Sequence, residues 1–453
     1  MDCDSILPFV SVMYLFASLT RGNIGNARLG GIEKDLDING KQFHNIVTMF
    51  FVGYIICQIP STMATRIVPP SKWIGFVMVI WVSANSKCQL GNLFSLVYPA
   101  RFFMGCFQAG LGPGVPLLLS YWYKREEMAR RMSIFLGSST LAGLFGGVFA
   151  YAVIRNLDGS HGLASWRWLF IVEGVPTIFI GILCFFFLPN YPHTASKYFL
   201  TPAERELAIK RGQSGGNKDT KTFSKHQMLK AVLDWHNWLA IVVYLGLNVC
   251  LSSFSTFLPT IIKAMGFTSL QAELLTIPPY ATGCFTLVLV SWLSDLTKQR
   301  AFCIMVTTMV AALGYILLII GKDISMKYAG AILVGAGVYP IIPLTLTWIS
   351  NNNLGHTKRG TALAMTGTVA QCFSILGSQI YKKSQAPTYR EGHGVCLAFM
   401  CLSFCMALLL RIGLARENCQ KDRLYGKVDE MQPKVMEDTE KLYDKHPSFR
   451  YFL

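Results

Sequence analysis

Within the apolar stretch "VYPARFFMGCFQAGLGPGVP", Arg101, Gly105, Gln108 and Gly112 recur at i, i+4, i+7 and i+11. That spacing puts a guanidinium, an amide and two glycines on one helical face. A guanidinium suits a carboxylate or phosphate, because its planar fork donates two parallel hydrogen bonds. Nearer the start, "LTRGNIGNARLGG" carries Arg21, Asn23, Asn26 and Arg28 directly behind the apolar run "ILPFVSVMYLFASL". At about 100° per residue, Arg21, Gly25 and Arg28 share one side of a helix, with Asn23, Asn26 and Gly30 roughly opposite. A helix polar on two sides has no lipid face, so it lies centrally or leaves the membrane near Gly22. Arg21 is expected to be buried and Arg28 solvated. Tyr54, Gln58, Ser61, Thr62 and Thr65 form a third polar face. The chemistry in view is recognition of a small anion in an aqueous cavity; the alternative is a set of structural interhelical hydrogen bonds.

The elements that position these residues are set by composition. The chain has 453 residues, 52% hydrophobic and 15% charged, with a mean hydropathy of +0.40. Its apolar residues fall in runs of about 20, the length of a membrane span. The runs do not alternate strictly, which favours helices over barrel strands. Twelve runs are readable: 6–27, 43–65, 73–91, 93–119, 132–154, 168–188, 238–262, 272–293, 302–320, 328–350, 361–381 and 394–412. The expected class is therefore an all-α membrane protein with 12 transmembrane helices in two six-helix bundles. A polar stretch divides them, giving a first bundle (1–188), a central loop (189–237), a second bundle (238–412) and a tail (413–453). In the loop, "TPAERELAIKR" predicts a short surface helix capped by Thr201, followed by a linker, "GQSGGNKD".

Charge orients the spans. With both termini cytoplasmic, roughly 27 of the 41 Lys and Arg residues lie on the cytoplasmic side, which is where they concentrate in membrane proteins. The same basic loops, beside an anionic leaflet, account for the +16 net charge without nucleic acid. The thirteen cysteines show no C-x-x-C and no Cys/His cluster of metal spacing. No catalytic constellation appears, so an enzyme, a metal and a cofactor are not expected.

Other intramembrane polar residues carry weaker signals. Ser139, Gly143, Gly146 and Gly147 make a small-residue stripe, which points to close helix packing. Glu173 lies about a turn and a half into the sixth span, where a structural ion pair or cap near the outer face is its simplest role. In the second half Asn248, Ser252, Ser253, Glu273, Tyr280, Tyr339 and Gln371 stand out. "YKREEMARRMSIFLGSSTLAG" and "GHTKRGTALAMTGTVAQ" each put Lys-Arg before a small-residue helix, an echo that suits two parallel repeats.

The ordered segments "NIGNARLGGIEKDL", "ARFFMGCFQAGLGPG", "SYWYKREEMARRMSIF", "SWRWLFIVEGVPT", "FFFLPNYP", "LLTIPPY" and "NNNLGHTKRGTALA" resemble the major facilitator superfamily, specifically its fungal allantoate permease family of anion:cation symporters. The resemblance implies a central site, alternating access, proton symport, a plasma-membrane location and cargo such as allantoate, nicotinate, pantothenate or biotin. The chain departs from the family at Thr20, Gln58 and Gln108, each standing where an acid is usual, and at Pro69 and Ser71 in the turn "RIVPPSKW". It also begins almost at the first span.

The expected site is therefore Arg101 and Arg21 as anchors, with Asn23, Asn26, Tyr54, Gln58, Gln108, Asn248, Tyr280, Tyr339 and Gln371 as neutral contacts. The three neutral replacements predict weakened or relocated proton coupling, with Glu173 and Glu273 the remaining candidates. The expected partners are a small organic anion, a proton and the lipid bilayer, the protein acting as a monomer. A non-transporting nutrient sensor or inactive paralogue is the competing expectation, for which the altered turn speaks.

Overall fold

The structure, a computed structural model, describes residues 6–90, 94–123, 125–192, 204–206, 225–354, 356–426 and 449–453. Its regular elements are all helical. The first half holds α1 (Ile6–Leu29), α2 (Ile32–Asp35), α3 (Gly40–Ile67), α4 (Pro70–Leu90), α5 (Phe94–Gln108), α6 (Leu111–Trp122), α7 (Arg125–Asn156) and α8 (Ser165–Phe187). The second holds α9 (Lys225–Leu233), α10 (Trp235–Ala264), α11 (Ser269–Leu275), α12 (Ile277–Thr297), α13 (Arg300–Ile320), α14 (Ile324–Asn352), α15 (His356–Gln379) and α16 (Arg390–Tyr425).

Each apolar run read from the sequence falls mainly in helix among the described residues. Among the described residues, seven helical stretches are long and apolar enough to cross a membrane: 131–156, 165–187, 235–264, 269–297, 300–320, 324–352 and 390–425. α1 and α15 fall short of that standard because each carries a polar face, and those faces turn to the centre. The side chains of Thr62 and Thr65 in α3, and most of the expected helix around Thr201 with the linker "GQSGGNKD", lie outside what the structure describes.

Three differences from the sequence reading have simple causes. The fourth run is not one helix but α5 and α6, interrupted at Ala109–Gly110. Pro113 has no N–H to return to Ala109, and Pro116 none to return to Gly112, so the ladder weakens there. The eighth run breaks at Thr276 between α11 and α12, where Pro278 and Pro279 likewise lack donors. The twelfth, expected to stop near Ile412, continues to Tyr425.

Connectors segregate to two ends. At the end away from the chain's termini, Trp166 and Arg167 donate to Asp35 at 2.9 Å, and the Ser165 hydroxyl donates to the Gly30 carbonyl at 3.1 Å. At the terminal end, Ser71 donates to Asn190 at 2.9 Å, and the Trp122 indole donates to the Asn190 carbonyl at 3.1 Å. Ser71, where the sequence departs from the family, thus ties α4 to the end of α8. Capping boxes start α3 at Asn39–Gln42 and α11 at Thr268–Gln271.

The halves meet through α1 against α10, α3 against α15, and α7 against α11, α12 and α14. Glycines make these approaches possible. A Cβ on Gly25 would run into the Thr256 carbonyl of α10, and one on Gly143 into the Tyr280 ring of α12. The glycines of the stripe in the fifth run are packing positions: Gly143 and Gly147 meet the second half, and Gly146 meets α1 of the first. One apolar cluster, including Met13, Trp81, Leu118 and Phe135, is confined to the first half. The larger one draws on both.

Candidate anion-binding cavity

Where α1, α3, α5, α10 and α15 converge, a cavity opens between the halves. Arg21, Arg101, Asn248, Ser252, Gln371 and Ser374 supply its polar wall, and Phe50 and Phe51 an aromatic one. Its volume is about 40 Å³, room for a few water molecules. Admitting an organic acid therefore requires the halves to part.

The two arginines reach this point by the same local device. Arg101 lies one turn before Gly105, where α5 presses on the backbone of α3 at Phe50. Arg21 lies one turn before Gly25, where α1 presses on α10. In each helix the arginine emerges beside the crossing, and the close backbone contact leaves no lipid in reach.

Arg101 is 1% exposed. Its Nη1 has only the Met104 sulfur at 3.6 Å, and its guanidinium carbon stands 5.5 Å from the centre of the Phe170 ring. Nε and Nη2 have no hydrogen-bond partner among the described residues. Glu173 on α8 interacts with it electrostatically without a hydrogen bond or ion pair. A buried cation beside a cavity with two unused donors lacks an acceptor, and leaving such donors unmade is costly. Arg21 lines the same cavity without a hydrogen bond or ion pair among the described residues.

The second half contributes neutral groups. Asn248 donates to the Tyr244 carbonyl at 3.2 Å and accepts from Ser374 at 3.5 Å. Ser252 donates to the Ser374 carbonyl at 3.2 Å, which fixes α10 against α15.

Of the expected contacts, Arg21, Arg101, Asn248 and Gln371 line the cavity, and the others do not. Asn26 donates to the Gly146 carbonyl of α7 at 3.3 Å, and Gln108 to the Ala17 carbonyl of α1 at 2.5 Å; both serve helix packing. Asn23 is buried on the far side of α1 from Arg21, with neither side-chain polar atom partnered among the described residues. Tyr280 and Tyr339 pack on each other, ring centres 5.9 Å apart. Tyr54 packs on Phe50 at 5.9 Å, and the Gln58 amide rests near Gly367. Thr20 bonds back to its own helix at Ala17. The sequence reading singled out Ser252 beside Asn248 without placing it in the site, and it missed Ser374. Their spacing from Asn248 and Gln371, four and three residues, was the available signal.

Glu173 and Glu273 are buried, and neither has a hydrogen-bonded carboxylate oxygen among the described residues. Neither lines the cavity. Glu273 lies in α11, whose backbone meets α7 at Gly147.

Beyond the cavity, at the end away from the termini, the halves are tied together. His44 Nδ1 lies 2.7 Å from the Ser378 carbonyl, and Gln379 donates to the Thr48 hydroxyl at 2.6 Å. Arg28 pairs with Glu33 at 2.8 Å, Lys383 reaches Glu33 at 3.1 Å, and the Arg28 guanidinium lies 4.7 Å from the Phe43 ring centre. Arg28 is thus buried and paired rather than solvated, because the connector after α1 folds Glu33 back onto it.

Comparison with known proteins agrees with this architecture. An uncharacterised transporter of Schizosaccharomyces pombe is 34% identical over 92% of this chain and 83% of its own length. The high-affinity nicotinic acid transporter of Saccharomyces cerevisiae is 27% identical over 98% of this chain and 83% of its own. A bacterial homologue of the human lysosomal transporter Spinster, solved inward-facing and unoccupied, superposes with a TM-score of 0.70 at 14% identity, covering 90% of this chain and 96% of that one. The Major Facilitator Superfamily model matches residues 10–378, and the chain therefore belongs to that superfamily, a multi-pass membrane transporter and not an enzyme.

Proposed function

We propose that this transporter carries a small organic anion, a carboxylate of nicotinate-like size, across a fungal plasma membrane by alternating access. The observation that carries the proposal is Arg101, buried at a cavity between the halves with two donors unused. A carboxylate would accept both, and Asn248, Gln371 and Arg21 would surround it. The nicotinic acid carried by the yeast relative is a substrate of this chemistry. The motif resemblance supports placement in the allantoate permease family. The helix order supports twelve spans in two bundles, divided at the central loop, and the basic loops support cytoplasmic termini.

In this state the ties at Glu33, Thr48 and Ser378 bar access from the end expected to face outward. Rocking of the halves would break them and expose Arg101 there. For proton coupling, Glu173 is the group nearest in effect to Arg101. The bare charge of an empty Arg101 favours an ionised Glu173; once an anion neutralises that charge, a buried carboxylate without a donor is costly, so the anion and a proton on Glu173 would be taken up together. Glu273, at the interface that opens, is the second proton candidate.

Uptake of labelled nicotinate, competed by other carboxylates and by their neutral amides, tests the reading. Carboxylates should compete and amides should not. Collapse of accumulation by a protonophore would support coupling through the remaining acids, and binding without flux would mark the sensor instead.

A further inference from the structure

The segment Phe449–Leu453 folds back onto the terminal end of the second half. Tyr451 is buried there. Asn418 of α16 holds both backbone groups of Tyr451: its Nδ2 donates to the carbonyl at 2.9 Å, and its Oδ1 accepts from the N–H at 2.8 Å. Asn352, at the end of α14, does the same for Phe452, at 3.1 and 2.8 Å. Successive residues of an extended chain turn their N–H and C=O groups to opposite edges. Two asparagines on two helices therefore grip the two edges of one strand-like segment.

Side chains add to the grip. The Trp348 indole donates to the Phe452 carbonyl at 2.8 Å, and Arg450 pairs with Asp422 at 2.7 Å. The Lys421 ammonium lies 4.6 Å from the Tyr451 ring centre, and the His236 ring of α10 lies 5.3 Å from it. Main-chain pairing from both edges, with pockets for alternate side chains, is how proteins recognise extended peptides. Residues 427–448, between α16 and this segment, are rich in charge, "KVDEMQPKVMEDTEKLYDKHPS", with one tyrosine, Tyr443.

We infer that the ends of α10, α14 and α16 form a peptide-binding groove whose ligand is the chain's own aromatic segment Phe449–Leu453, so that the tail is a strap fastened across the second half. Covalent connection keeps the segment at an effective concentration of about millimolar, so a modest affinity suffices to hold it. The strap closes on a cluster that reaches the cavity helices. His236 Nδ1 lies 2.7 Å from Asp234, the cap of α10, and Asp234 pairs with Lys358 at the start of α15 at 2.6 Å. α10 and α15 carry Asn248 and Gln371. The groove stands apart from the cargo reading, and its test does not need the cargo.

The test uses the full chain with Tyr451 and Phe452 both replaced by proline, which removes both backbone donors and both rings and so empties the groove, and a fluorescent synthetic peptide, HPSFRYFL, as probe. Saturable binding to this variant is expected, at least tenfold tighter than to the unmodified chain, whose own segment competes. Adding Asn418→Ala or Asn352→Ala should weaken the peptide about tenfold, as two lost hydrogen bonds imply. Where an asparagine variant is not monodisperse, Asp422→Lys in the emptied chain should weaken the peptide, and a peptide carrying glutamate for Arg450 should regain affinity for it. Absence of saturable binding to the emptied chain, equal binding to the unmodified chain, or indifference to both the asparagine changes and the charge swap would overturn the inference.

Discussion

Replacing Arg101 by glutamine removes the charge and the fork but leaves an amide of similar reach. In the structure, Nε and Nη2 are the two donors with nothing to bond. Each charge-assisted hydrogen bond to a bound carboxylate is worth about 1.5–3 kcal/mol, so losing both costs about 3–6 kcal/mol, a weakening of about a hundredfold to ten-thousandfold. Folding should respond in the opposite sense. A guanidinium 1% exposed with only a sulfur at 3.6 Å is a burden when empty, because a charge deep in a bilayer costs about 2.5–3.5 kcal/mol on insertion scales. Arg101→Gln should therefore abolish uptake at equal surface abundance while the purified protein melts no lower than wild type. Arg101→Lys keeps the charge without the fork and should fall between. The assay is initial uptake normalised to surface protein, paired with a thermal melt in detergent. Undiminished uptake in Arg101→Gln would remove the residue from the site, and a large drop in melting temperature would recast it as structural.

Further expectations follow from the ties around the cavity. Glu33→Ala leaves Arg28 buried beside Phe43 without its anion, which should destabilise the sealed end away from the termini by about 3 kcal/mol; a thiol reagent should then reach a cysteine placed at position 48 faster from that side, and an unchanged rate would count against the gate. Gly147→Ala puts a methyl against Thr276 and 2.9 Å from the Glu273 carbonyl, so it should hold α7 off α11 and raise the same accessibility. Burial works to raise the Asp234 carboxyl, but hydrogen bonds from His236 and Lys358 hold it below the usual carboxylate range. Its stabilising contribution is therefore complete above the unfolded value, near about pH 4, and is lost only as pH falls through the lower folded value. Asp234→Asn should accordingly lower the melting temperature by a similar amount at about pH 5.5 and about pH 8; a deficit confined to acid would contradict that assignment. Glu173→Gln should leave anion binding intact while flattening its dependence on pH, read by binding across about pH 5 to about pH 8, and an unaltered slope would take Glu173 out of the coupling.

The sequence made the helices readable because a bilayer admits few backbones, and the two arginines stood out because hydrocarbon rejects charge. The breaks at Ala109–Gly110 and Thr276 were present as prolines, but a proline kinks or ends a helix according to its neighbours. Sorting the polar residues was harder. Asn26 and Gln108 carry the same chemistry as Gln371, yet a carbonyl on a neighbouring helix claims each of the first two, and that carbonyl is 120 residues away for Asn26 and 91 for Gln108. Arg28 looked solvated because Glu33 sits outside the apolar run, and Lys383, the second cation on Glu33, is 350 residues further along. What could be read without partners was the spacing Arg-x-x-x-Gly in both α1 and α5, which marks an arginine beside a backbone crossing.

The most direct measurement is equilibrium binding of nicotinate and of its neutral amide to the purified transporter and to Arg101→Gln. The two ligands share a ring and nearly a shape, so their difference isolates the charge that Arg101 should receive. Tight binding of the acid alone, lost in the variant, is the predicted result; an amide that binds as well as the acid, in either protein, would contradict it.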